Sequence, residues 1–430
     1  MNNAVKMRSE KSIPAGYKQT EVGVIPEDWG TPKLCQICTL INGRGFKPYE
    51  WSTEGLPIIR IQNLNGSEEF NYYSGPYDQK LFIRNGQLLF AWSGSRGTSF
   101  GPHIWGGNDA LLNYHSWKLE IKDEKIQSDY FFHILKLLTK KIEHAAHGAS
   151  ALVHTQKGEM EQFTVPMPHK INEQKAIATV LSDTDTLIIS LEQLVVKKIA
   201  IKASTRQQLL IGRTRLSPFS KHPDGSLKGY KSSEIGQIPE DWDIKQLGQL
   251  VEINSGDSPS KYQFQTSGTP YFKVEQLNNG SVFAETTPYF ICSEKKIKAG
   301  SVIFPKRGAS IFSNKIRVLK YDSYMDTNLM TLTCSSELDS LYLYNLLTYR
   351  GLDSVADTTS IPQINNKHII PYLIPLPPKE EQTAIATILS DMDAELKALE
   401  QKLAKFRAIK QGMMQQLLTG RIRLPLDRQP

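Results

Sequence analysis

The sequence predicts an α+β fold: two globular α/β segments in a pseudo-twofold tandem repeat, joined by two long helices that form an antiparallel coiled coil. Three observations predict it. A stretch of 46 residues occurs twice, the segments before its two copies also repeat, and both copies carry apolar residues at heptad spacing. Repetition over most of the 430 residues is therefore the main constraint on the fold.

The repeated stretch covers residues 171–216 and recurs 208 residues later, with 25 of 46 positions identical. The longest shared blocks are Glu173-Gln174 with Glu381-Gln382, residues 176–179 with 384–387, residues 181–183 with 389–391, and residues 207–210 with 415–418. Such agreement at a constant shift indicates a tandem duplication.

Both copies are predicted to be long helices. Prolines precede each copy, and Gly212 and Gly420 follow the last periodic residues, as is typical of helix starts and stops. Glu380 and Glu381 lie in the first turn of the second copy, where the helix dipole favours negative charge. At 1.5 Å per residue, each helix would be about 60 Å long.

Apolar residues in both helices alternate at spacings of four and three, the seam of a coiled coil. The predicted seam consists of Ile177, Leu181, Ile188, Leu191, Val195, Lys202 and Leu209 in the first helix, and of Ile385, Leu389, Met392, Leu396, Leu399, Leu403, Phe406, Lys410 and Leu417 in the second. A lone helix cannot bury its seam, which favours antiparallel pairing of the two helices; the alternative is that each packs on its own globular segment. Lys202 and Lys410 interrupt the seam at equivalent positions, and we predict that they control register.

The segments before the helices repeat at a shift of 213 residues. Gly16-Tyr17-Lys18 and Pro26-Glu27-Asp28-Trp29 recur as Gly229-Tyr230-Lys231 and Pro239-Glu240-Asp241-Trp242. We interpret this N-terminal block as structural, with the tryptophan anchoring the chain on its domain. The predicted organisation is a flexible N-terminus (1–13), a first domain (14–165), a first helix (166–212), a linker (213–228), a second domain (229–374), a second helix (375–420) and a basic tail (421–430). Short strands and loops are expected in both domains, with helices near Asp129–Ile142 and Leu338–Arg350.

Composition bounds the class of protein. The net charge is +7 and the isoelectric point is near 8.9, which is compatible with a polyanionic partner. No apolar run is long enough to span a bilayer and no signal peptide is visible, so we expect a soluble, cytoplasmic protein without a membrane partner. Cys35-x-x-Cys38 could be half of a zinc site or a redox pair. Its counterparts in the second copy are Gly248 and Val251, which favours buried structural thiols.

No catalytic or metal-binding motif is found in both copies. A Walker A sequence, a dinucleotide-binding glycine loop and a His-Glu-x-x-His pattern are absent from the sequence. Asp224, Asp243 and Lys245 give a nuclease-like spacing, but the first copy has Gly30 and Pro32 in place of the last two. We therefore predict no catalytic residue, no metal and no bound cofactor in this chain.

Basic and amide side chains lie beside glycines and aromatic residues, such as Tyr49, Trp51 and Tyr262, in the loops of both domains. Arg and Lys can pair with phosphates or guanine, and Asn or Gln with adenine. The candidate DNA-binding residues are Arg44, Lys47, Arg60, Asn63, Ser95 and Arg96 in the first domain, and Lys261, Lys273, Gln276, Lys306, Arg307, Asn314 and Lys315 in the second. For any single residue a solvated surface charge is the simpler interpretation; the set as a whole favours DNA.

The order of parts resembles the specificity subunit of a type I restriction-modification system, from about Gly16 to Leu424. The resemblance rests on a Gly-Tyr-Lys and Ile-Pro-Glu-Asp-Trp block, a variable segment, a proline step, a helix start of Glu-Gln-x-Ala-Ile-Ala-Thr-x-Leu-Ser-Asp and a helix end of Gln-Gln-Leu-Leu-x-Gly-Arg-x-Arg-Leu, each given twice. It implies two target recognition domains and a coiled-coil spacer that docks partner subunits.

The resemblance further implies a non-catalytic chain that binds double-stranded DNA and two modification subunits. Those subunits would carry S-adenosylmethionine and methylate adenine at N6, and restriction subunits would use ATP and Mg for translocation and cleavage. The target would be bipartite, asymmetric and gapped, with half-site centres about one helical turn, roughly 34 Å, apart. The helices would then set the gap.

Three other interpretations remain open at this point. The chain could serve a type IIB-like enzyme whose single partner combines cleavage and methylation. It could be a coiled-coil scaffold that binds only proteins, which predicts no salt-dependent duplex binding. It could also be a stand-alone enzyme that uses Asp224, Asp243 and Lys245.

Overall fold

The computed structural model describes residues 13–145, 152–357 and 361–425. The chain divides into two compact units. Unit 1 contains the described residues up to Glu192 and from Lys402 on, and unit 2 contains those from Gln193 to Gln401. Each unit therefore holds one globular segment and a part of each long helix. The predicted flexible N-terminus, apart from Ile13, and residues 426–430 of the predicted tail lie outside the described residues, and the other domain borders stay predictions.

Unit 1 is built from short strands and helices in the following order. They are β1 (Tyr17–Thr20), β2 (Gly23–Pro26), β3 (Trp29–Gly30), α1 (Leu34–Ile37), β4 (Cys38–Asn42), β5 (Leu56–Ile59), α2 (Ile61–Leu64), β6 (Tyr72–Tyr73), β7 (Phe82–Ile83), β8 (Leu88–Ala91), β9 (Ser93–Ser95), β10 (Gly101–Ile104), β11 (Ala110–Leu112), β12 (Ser116–Ile121), α3 (Ser128–Ala145), β13 (Leu152–His154), α4 (Lys157–Gln162), β14 (Met167–Pro168) and the start of α5 (Ile171–Leu210).

The larger sheet of unit 1 is antiparallel, in the order β10-β8-β12-β4, and the smaller is mixed, in the order β6-β5-β11-β7. Strand β8 is buried along its whole length, as expected for a continuous apolar run. Phe90 stacks on Trp117 with ring centroids 5.9 Å apart, and the core extends to Leu181 and Leu417 of the two long helices. Both long helices thus contribute to one core.

Unit 2 repeats this plan. Its elements are β15 (Tyr230–Ser233), β16 (Gly236–Pro239), β17 (Asp243–Gln246), β18 (Val251–Ser255), β19 (Thr269–Phe272), β20 (Phe283–Ala284), β21 (Phe290–Ile291), β22 (Val302–Pro305), β23 (Arg317–Leu319), β24 (Tyr324–Met325), β25 (Leu329–Cys334), α6 (Ser340–Arg350), α7 (Asn366–Ile369), β26 (Leu373–Leu376) and most of α8 (Lys379–Leu417). The sheets have the orders β18-β25-β22-β23-β20 and β21-β19-β24. The trio β18-β25-β22 corresponds to β4-β12-β8, and parallel β19-β24 corresponds to β5-β11.

Helices α3 and α6 occupy equivalent places and confirm the two helices predicted in the globular segments. The Tyr130 hydroxyl donates to the Pro166 carbonyl at 3.2 Å, and the Tyr342 hydroxyl donates to the Pro375 carbonyl at 3.0 Å. The two tyrosines are 212 residues apart, so residues of α3 and α6 correspond at that shift. Asp339 caps α6 by accepting from the backbone N–H groups of residues 341 and 342.

One aligned pair of α3 and α6 has a titratable side chain in unit 1 and an amide in unit 2. His133 on α3 is buried, its Nε2 lies 3.0 Å from Ser182 Oγ, and its counterpart on α6 is Asn345. Burial, helped by the charge of Lys136, lowers the His133 pKa from 6.5 to about 4. The stability from neutral His133 is complete above pH 6.5 and is lost as pH falls toward 4, because the unfolded chain then binds the proton more tightly. His133→Asn should remove this loss, as measured by urea-unfolding midpoints of unit 1 at pH 7 and pH 5. Equal losses in wild type and variant would contradict the assignment.

The long helices end two to three residues before the predicted glycines. Gly212 and Gly420 have φ of +71° and +67°, the left-handed conformation that ends a helix. A Cβ at either glycine would collide with the ring of Pro239 or Pro26 from the N-terminal block of the same unit. The repeated glycines are therefore required by backbone conformation and by close approach.

The two long helices run antiparallel within each unit. In unit 1, Lys410 pairs with Asp185, and Arg407 Nη2 lies 2.6 Å from Glu192 Oε1. Residues later in α5 therefore pair with residues earlier in α8, as in an antiparallel pair. Every predicted seam residue is buried or half-buried. The helices pack on each other and also on the globular cores. The seam is therefore buried both by helix pairing and by packing on the globular segments. The predicted α+β fold class is confirmed.

Unit 2 contains the symmetric counterpart of these contacts. Lys202 pairs with Asp393, and Lys198 Nζ lies 2.6 Å from Glu395 Oε1. Lys202 and Asp393 are the repeat equivalents of Lys410 and Asp185. The two lysines that interrupt the seam therefore carry the same cross-helix ion pair twice, which supports the prediction that they control register.

The repeated N-terminal block and helix start meet in a buried ionic network. In unit 2, Arg215 Nε donates to Glu381 Oε1 at 2.7 Å, and Arg215 Nη1 donates to Asp241 Oδ1 at 2.8 Å. The Trp242 indole N–H donates to Glu381 Oε2 at 2.9 Å. The segment after α5, the N-terminal block and the first turn of α8 are thus joined through one guanidinium.

In unit 1 the equivalent arginine, Arg423, makes the same two bridges, but the tryptophan bond is missing because Trp29 Nε1 has no hydrogen-bond partner in the described part of the chain. Arg423 Nε donates to Glu173 Oε1 at 2.8 Å, and Arg423 Nη1 donates to Asp28 Oδ1 at 2.7 Å. The predicted basic tail, residues 421–430, therefore includes a residue that closes the unit containing the first domain. Glu173 and Glu381 are each 1% exposed, so their charges depend on these arginines.

The glutamine that follows each buried glutamate fixes the neighbouring helix. Gln174 Nε2 donates to the Pro168 carbonyl at 2.8 Å and its Oε1 accepts from the Gln127 N–H at 2.9 Å. Gln382 makes the same two bonds with Pro377 and Asp339. The Glu-Gln repeat thus has a structural cause in both units, since it positions the start of α3 or α6.

Candidate nucleic-acid interface

Two equivalent surface loops follow β4 and β18, the outer strands of the larger sheets. We call residues 43–51 loop 1 and residues 256–264 loop 2. Each begins at a glycine, Gly43 or Gly256, where a Cβ would collide with a backbone carbonyl of the neighbouring strand region. Each also contains a short 3-10 turn, Pro48–Glu50 or Pro259–Lys261. The two units therefore present the two loops from the same scaffold position.

A cation lies over an aromatic ring beside each loop. In unit 1 the Arg60 guanidinium lies 5.4 Å from the centroid of Trp51, which is 38% exposed. In unit 2 Lys273 Nζ lies 5.0 Å from the centroid of Phe264, which is 39% exposed. These residues are repeat equivalents. Cation and ring hold each other in place, and both cations are half-buried.

Loop 1 itself is basic and aromatic. Arg44 pairs with Glu50, and its guanidinium lies 4.8 Å from the ring centroid of Phe46. Lys47 is exposed, and Tyr49 is 86% exposed with no packing role that would explain an aromatic side chain there. Exposed aromatic and cationic side chains at one site are typical of nucleic-acid contacts.

Loop 2 differs in charge at the equivalent position. Asp257, the counterpart of Arg44, accepts from Lys261 Nζ at 2.8 Å, from the Tyr324 hydroxyl at 3.0 Å and from the Tyr262 hydroxyl at 3.1 Å. The bonds from Lys261 and Tyr324 hold the pKa of Asp257 to about 2. Loop 2 is therefore an ordered carboxylate–tyrosine cluster where loop 1 presents an arginine.

The remaining predicted cations lie after β8 and β22. The Ser95 N–H donates to Ser99 Oγ at 2.7 Å, and both Ser95 and Arg96 are exposed. Lys306 Nζ donates to Ser255 Oγ at 2.9 Å, and burial lowers the pKa of Lys306. Arg307 is exposed and Lys315 is half-buried. Lys306 therefore joins this region to the end of β18, next to loop 2.

Each of the three predicted amide contacts has a structural role. Asn63 is buried, accepts from the Arg60 N–H at 3.0 Å and donates to the Glu69 carbonyl at 2.9 Å. Gln276 accepts the equivalent bond from the Lys273 N–H at 3.0 Å. Asn314 has φ +47° and donates to the Thr348 carbonyl at 2.8 Å. The bonds of Asn63 lie inside the fold, so we remove it from the proposed DNA contacts. Gln276 and Asn314 stay predictions, because Gln276 is half-buried with Nε2 3.4 Å from Glu275 Oε1 and Asn314 Oδ1 has no hydrogen-bond partner among the described residues.

Phe264 and Tyr289 were not among the predicted site residues. The ring centroid of Tyr289 lies 3.6 Å from Lys273 Nζ. The rings of Phe264 and Tyr289 thus both face that cation. The shift of 213 residues places Phe264 on Trp51, so the signal for Phe264 was present in the repeat. Tyr289 reaches the site only because β21 pairs with β19.

The cysteine pair and the nuclease-like residues lie in ordinary structural surroundings. Cys38 is buried, which raises its pKa to about 12, and Cys35 is half-buried. Lys245 Nζ lies 2.7 Å from Glu337, and Asp224 accepts from Ser226. Within the described ranges no group of three or more His, Cys, Asp or Glu side chains could hold a metal ion. No helix in the described part of the chain is long and apolar enough to cross a membrane.

Two tandem α/β units with a cation–aromatic pair at equivalent positions, closed by antiparallel helices, are typical of a two-domain recognition subunit. The family model of the type I restriction modification DNA specificity domain matches residues 26–202 and 239–405, which is more than half of the chain. The chain belongs to this family and carries two of its domains in tandem. It is a specificity subunit of the type I restriction-modification class.

Similar proteins agree with this assignment. The chain is 25% identical over 429 residues to the type I restriction enzyme MjaVIII specificity subunit of Methanocaldococcus jannaschii, covering 93% of this chain and 94% of that protein. It is 26% identical to the putative MjaX specificity subunit of the same organism, with coverage of 95% and 97%. In fold it is similar to the crystal structure of a type I restriction-modification S subunit from M. genitalium, with a TM-score of 0.56, 15% identity and coverage of 91% and 96%.

Proposed function

We propose that this specificity subunit recognises a bipartite, gapped and asymmetric DNA target, with one half bound by each unit. The observation that carries the proposal is the pair of equivalent loops with unlike chemistry: Arg44 stands in loop 1 where Asp257 stands in loop 2. Arg44 pairs with Glu50, and Asp257 accepts from Lys261 and two tyrosines, so the two loops present different charges and hydrogen-bonding groups to DNA. Equivalent placement with different side chains supports two different half-sites.

The chain directs N6-adenine methylation and DNA cleavage by partner subunits and is itself non-catalytic. Two modification subunits suit the repeat, because each unit offers the same arrangement of long-helix termini and closing arginine. In this proposal S-adenosylmethionine, ATP and Mg act on the modification and restriction subunits. A type IIB-like partner that combines both activities would use the same surfaces, and co-purification with the neighbouring gene products distinguishes the two.

Variants of the cation beside each loop test the proposal. Arg60→Ala should weaken binding to the cognate duplex by about 1–3 kcal/mol and relax base preference in one half of the target only. Lys273→Ala should do the same in the other half. The measurement is a competition binding series in which each base pair of the target is substituted in turn, with the subunit in its methyltransferase complex.

Lys175→Ala is the matched control, since Lys175 is an exposed cation on α5 and belongs to neither loop. It should leave the preference at every base pair unchanged. The proposal would fail if Arg60→Ala and Lys273→Ala altered the same half, or if neither altered any base preference.

A further inference from the structure

Unit 1 contains a pocket outside both loops. Its volume is about 310 Å³, and it lies between the turn at residues 97–103, helix α3 and the last turns of α8. Lys410 and Arg407, which pair with Asp185 and Glu192 across the long helices, belong to its lining, whereas no residue of loop 1 or loop 2 does.

Four positive side chains line it: Lys136, Lys140, Arg407 and Lys410. His103 also lines it, and burial lowers its pKa, which favours the neutral form. Glu143 is the one carboxylate among the lining residues, and its Oε1 accepts from the Gly97 N–H at 2.7 Å. The cations come from α3 on one side and from α8 on the other, which leaves a space that is flanked by positive charge.

These charges are only partly compensated. Arg407 has its own partner, because its Nη2 lies 2.6 Å from Glu192 Oε1. Asp185 interacts with two cations, because it pairs with Lys410 and its Oδ2 lies 3.5 Å from Lys136 Nζ. Burial lowers the Lys136 pKa, and the positive charge of Lys410 lowers it further. Among the residues that the structure describes, no carboxylate lies within 4.0 Å of Lys140 Nζ. An added anion would therefore lower the electrostatic energy of the pocket.

The repeated scaffold does not explain this pocket. At the repeat shifts established above, the counterparts of Lys136, Lys140 and Arg407 in unit 2 are Thr348, Leu352 and Ile199. Lys202 retains the position of Lys410, so the ion pair across the helices belongs to the scaffold. The other three cations are particular to unit 1.

We propose that this pocket binds a phosphate group. Lys and Arg side chains from two helices give charged donors around a small anion, and the volume suits a phosphate or pyrophosphate. Ser95 and Arg96 immediately precede the lining residue Gly97, so a duplex backbone and a free nucleotide are both sources of the group. The duplex source rests on the proposed function, whereas the nucleotide source does not.

Lys140→Ala and Lys141→Ala form a matched pair, because both lysines are exposed neighbours on α3 and only Lys140 lines the pocket. For the free-anion source, calorimetry with inorganic pyrophosphate on the full chain should show binding by wild type and Lys141→Ala. Lys140→Ala should weaken it at least about fivefold. For the duplex source, the slope of log K against log salt should fall by about 0.9 in Lys140→Ala and stay unchanged in Lys141→Ala.

Either result supports the pocket and identifies the source. Pyrophosphate binding that is equal in all three proteins overturns the proposal, and so does absence of pyrophosphate binding together with equal salt slopes. If the wild-type subunit failed to bind duplex at all, the proposed function would fail and the pyrophosphate comparison alone would decide the pocket.

Discussion

Arg215→Ala is expected to destabilise unit 2 by about 3–5 kcal/mol, because it leaves the buried Glu381 carboxylate without its cation. The Arg215 side chain is 7% exposed and Glu381 is 1% exposed, so water cannot replace the lost partner. Hydrogen–deuterium exchange should become faster in the buried strand β22 and in α6, while β8 and α3 of unit 1 keep their wild-type protection.

Arg423→Ala should give the mirror image, with faster exchange in β8 and α3 although the substitution lies near the C-terminus. The effect should be smaller, since Arg423 and Asp28 are 36% and 50% exposed and solvent screens them. The repeated arginines two residues earlier, Arg213 and Arg421, are exposed. Their alanine variants serve as controls and should leave both units unchanged.

Arg215, which follows α5, closes unit 2, and Arg423, which follows α8, closes unit 1. These variants test that arrangement. Loss of protection in unit 1 after Arg215→Ala, or equal loss in both units after either substitution, would contradict that arrangement. A change below about 0.5 kcal/mol for Arg215→Ala would show that the network contributes no more than a surface ion pair.

Lengthening both long helices together should lengthen the gap in the DNA target. Seven residues inserted after Glu192 in α5 and seven after Gln401 in α8 add two turns of helix, or about 10.5 Å. The gap is expected to grow by about three base pairs, because base pairs are spaced about 3.4 Å apart. Both half-sites should keep their sequences, since neither loop is changed. The measurement is the methylated motif in host DNA.

Insertion into one helix alone provides the control. The ion pairs of Lys410 with Asp185 and of Lys202 with Asp393 fix the register on either side of the insertion point. A single insertion cannot satisfy both pairs with straight helices, so methylation should be lost or strongly reduced. An unchanged gap after the double insertion would show that the helices do not set the spacing.

The helical part of the structure was predictable because its signals are local in sequence. Heptad spacing marks the buried face, and prolines and glycines mark the ends. The shift of 208 residues also identified Lys202 and Lys410 as equivalent positions in the seam. Their cross-helix partners became visible only with the antiparallel register in hand, because each ion pair joins residues far apart in the chain.

The loops were less predictable because one residue type serves two roles. An asparagine that binds adenine and an asparagine that caps a turn have the same side chain, and Asn63 and Asn314 proved to hold the backbone. Conversely, the cation–aromatic pair at Lys273 depends on strand pairing that periodicity does not give. The repeat nevertheless identified Arg60 and Lys273 as equivalent positions.

The most direct test of the account is a genome-wide map of N6-methyladenine in a host that carries this chain with its modification partner. The account predicts a single asymmetric motif made of two short specific sequences separated by a gap of fixed length. Replacing residues 14–165 with the first domain of another specificity subunit should change one half of that motif and leave the other half and the gap intact. A palindromic or ungapped motif, or a change in both halves after the exchange, would contradict it.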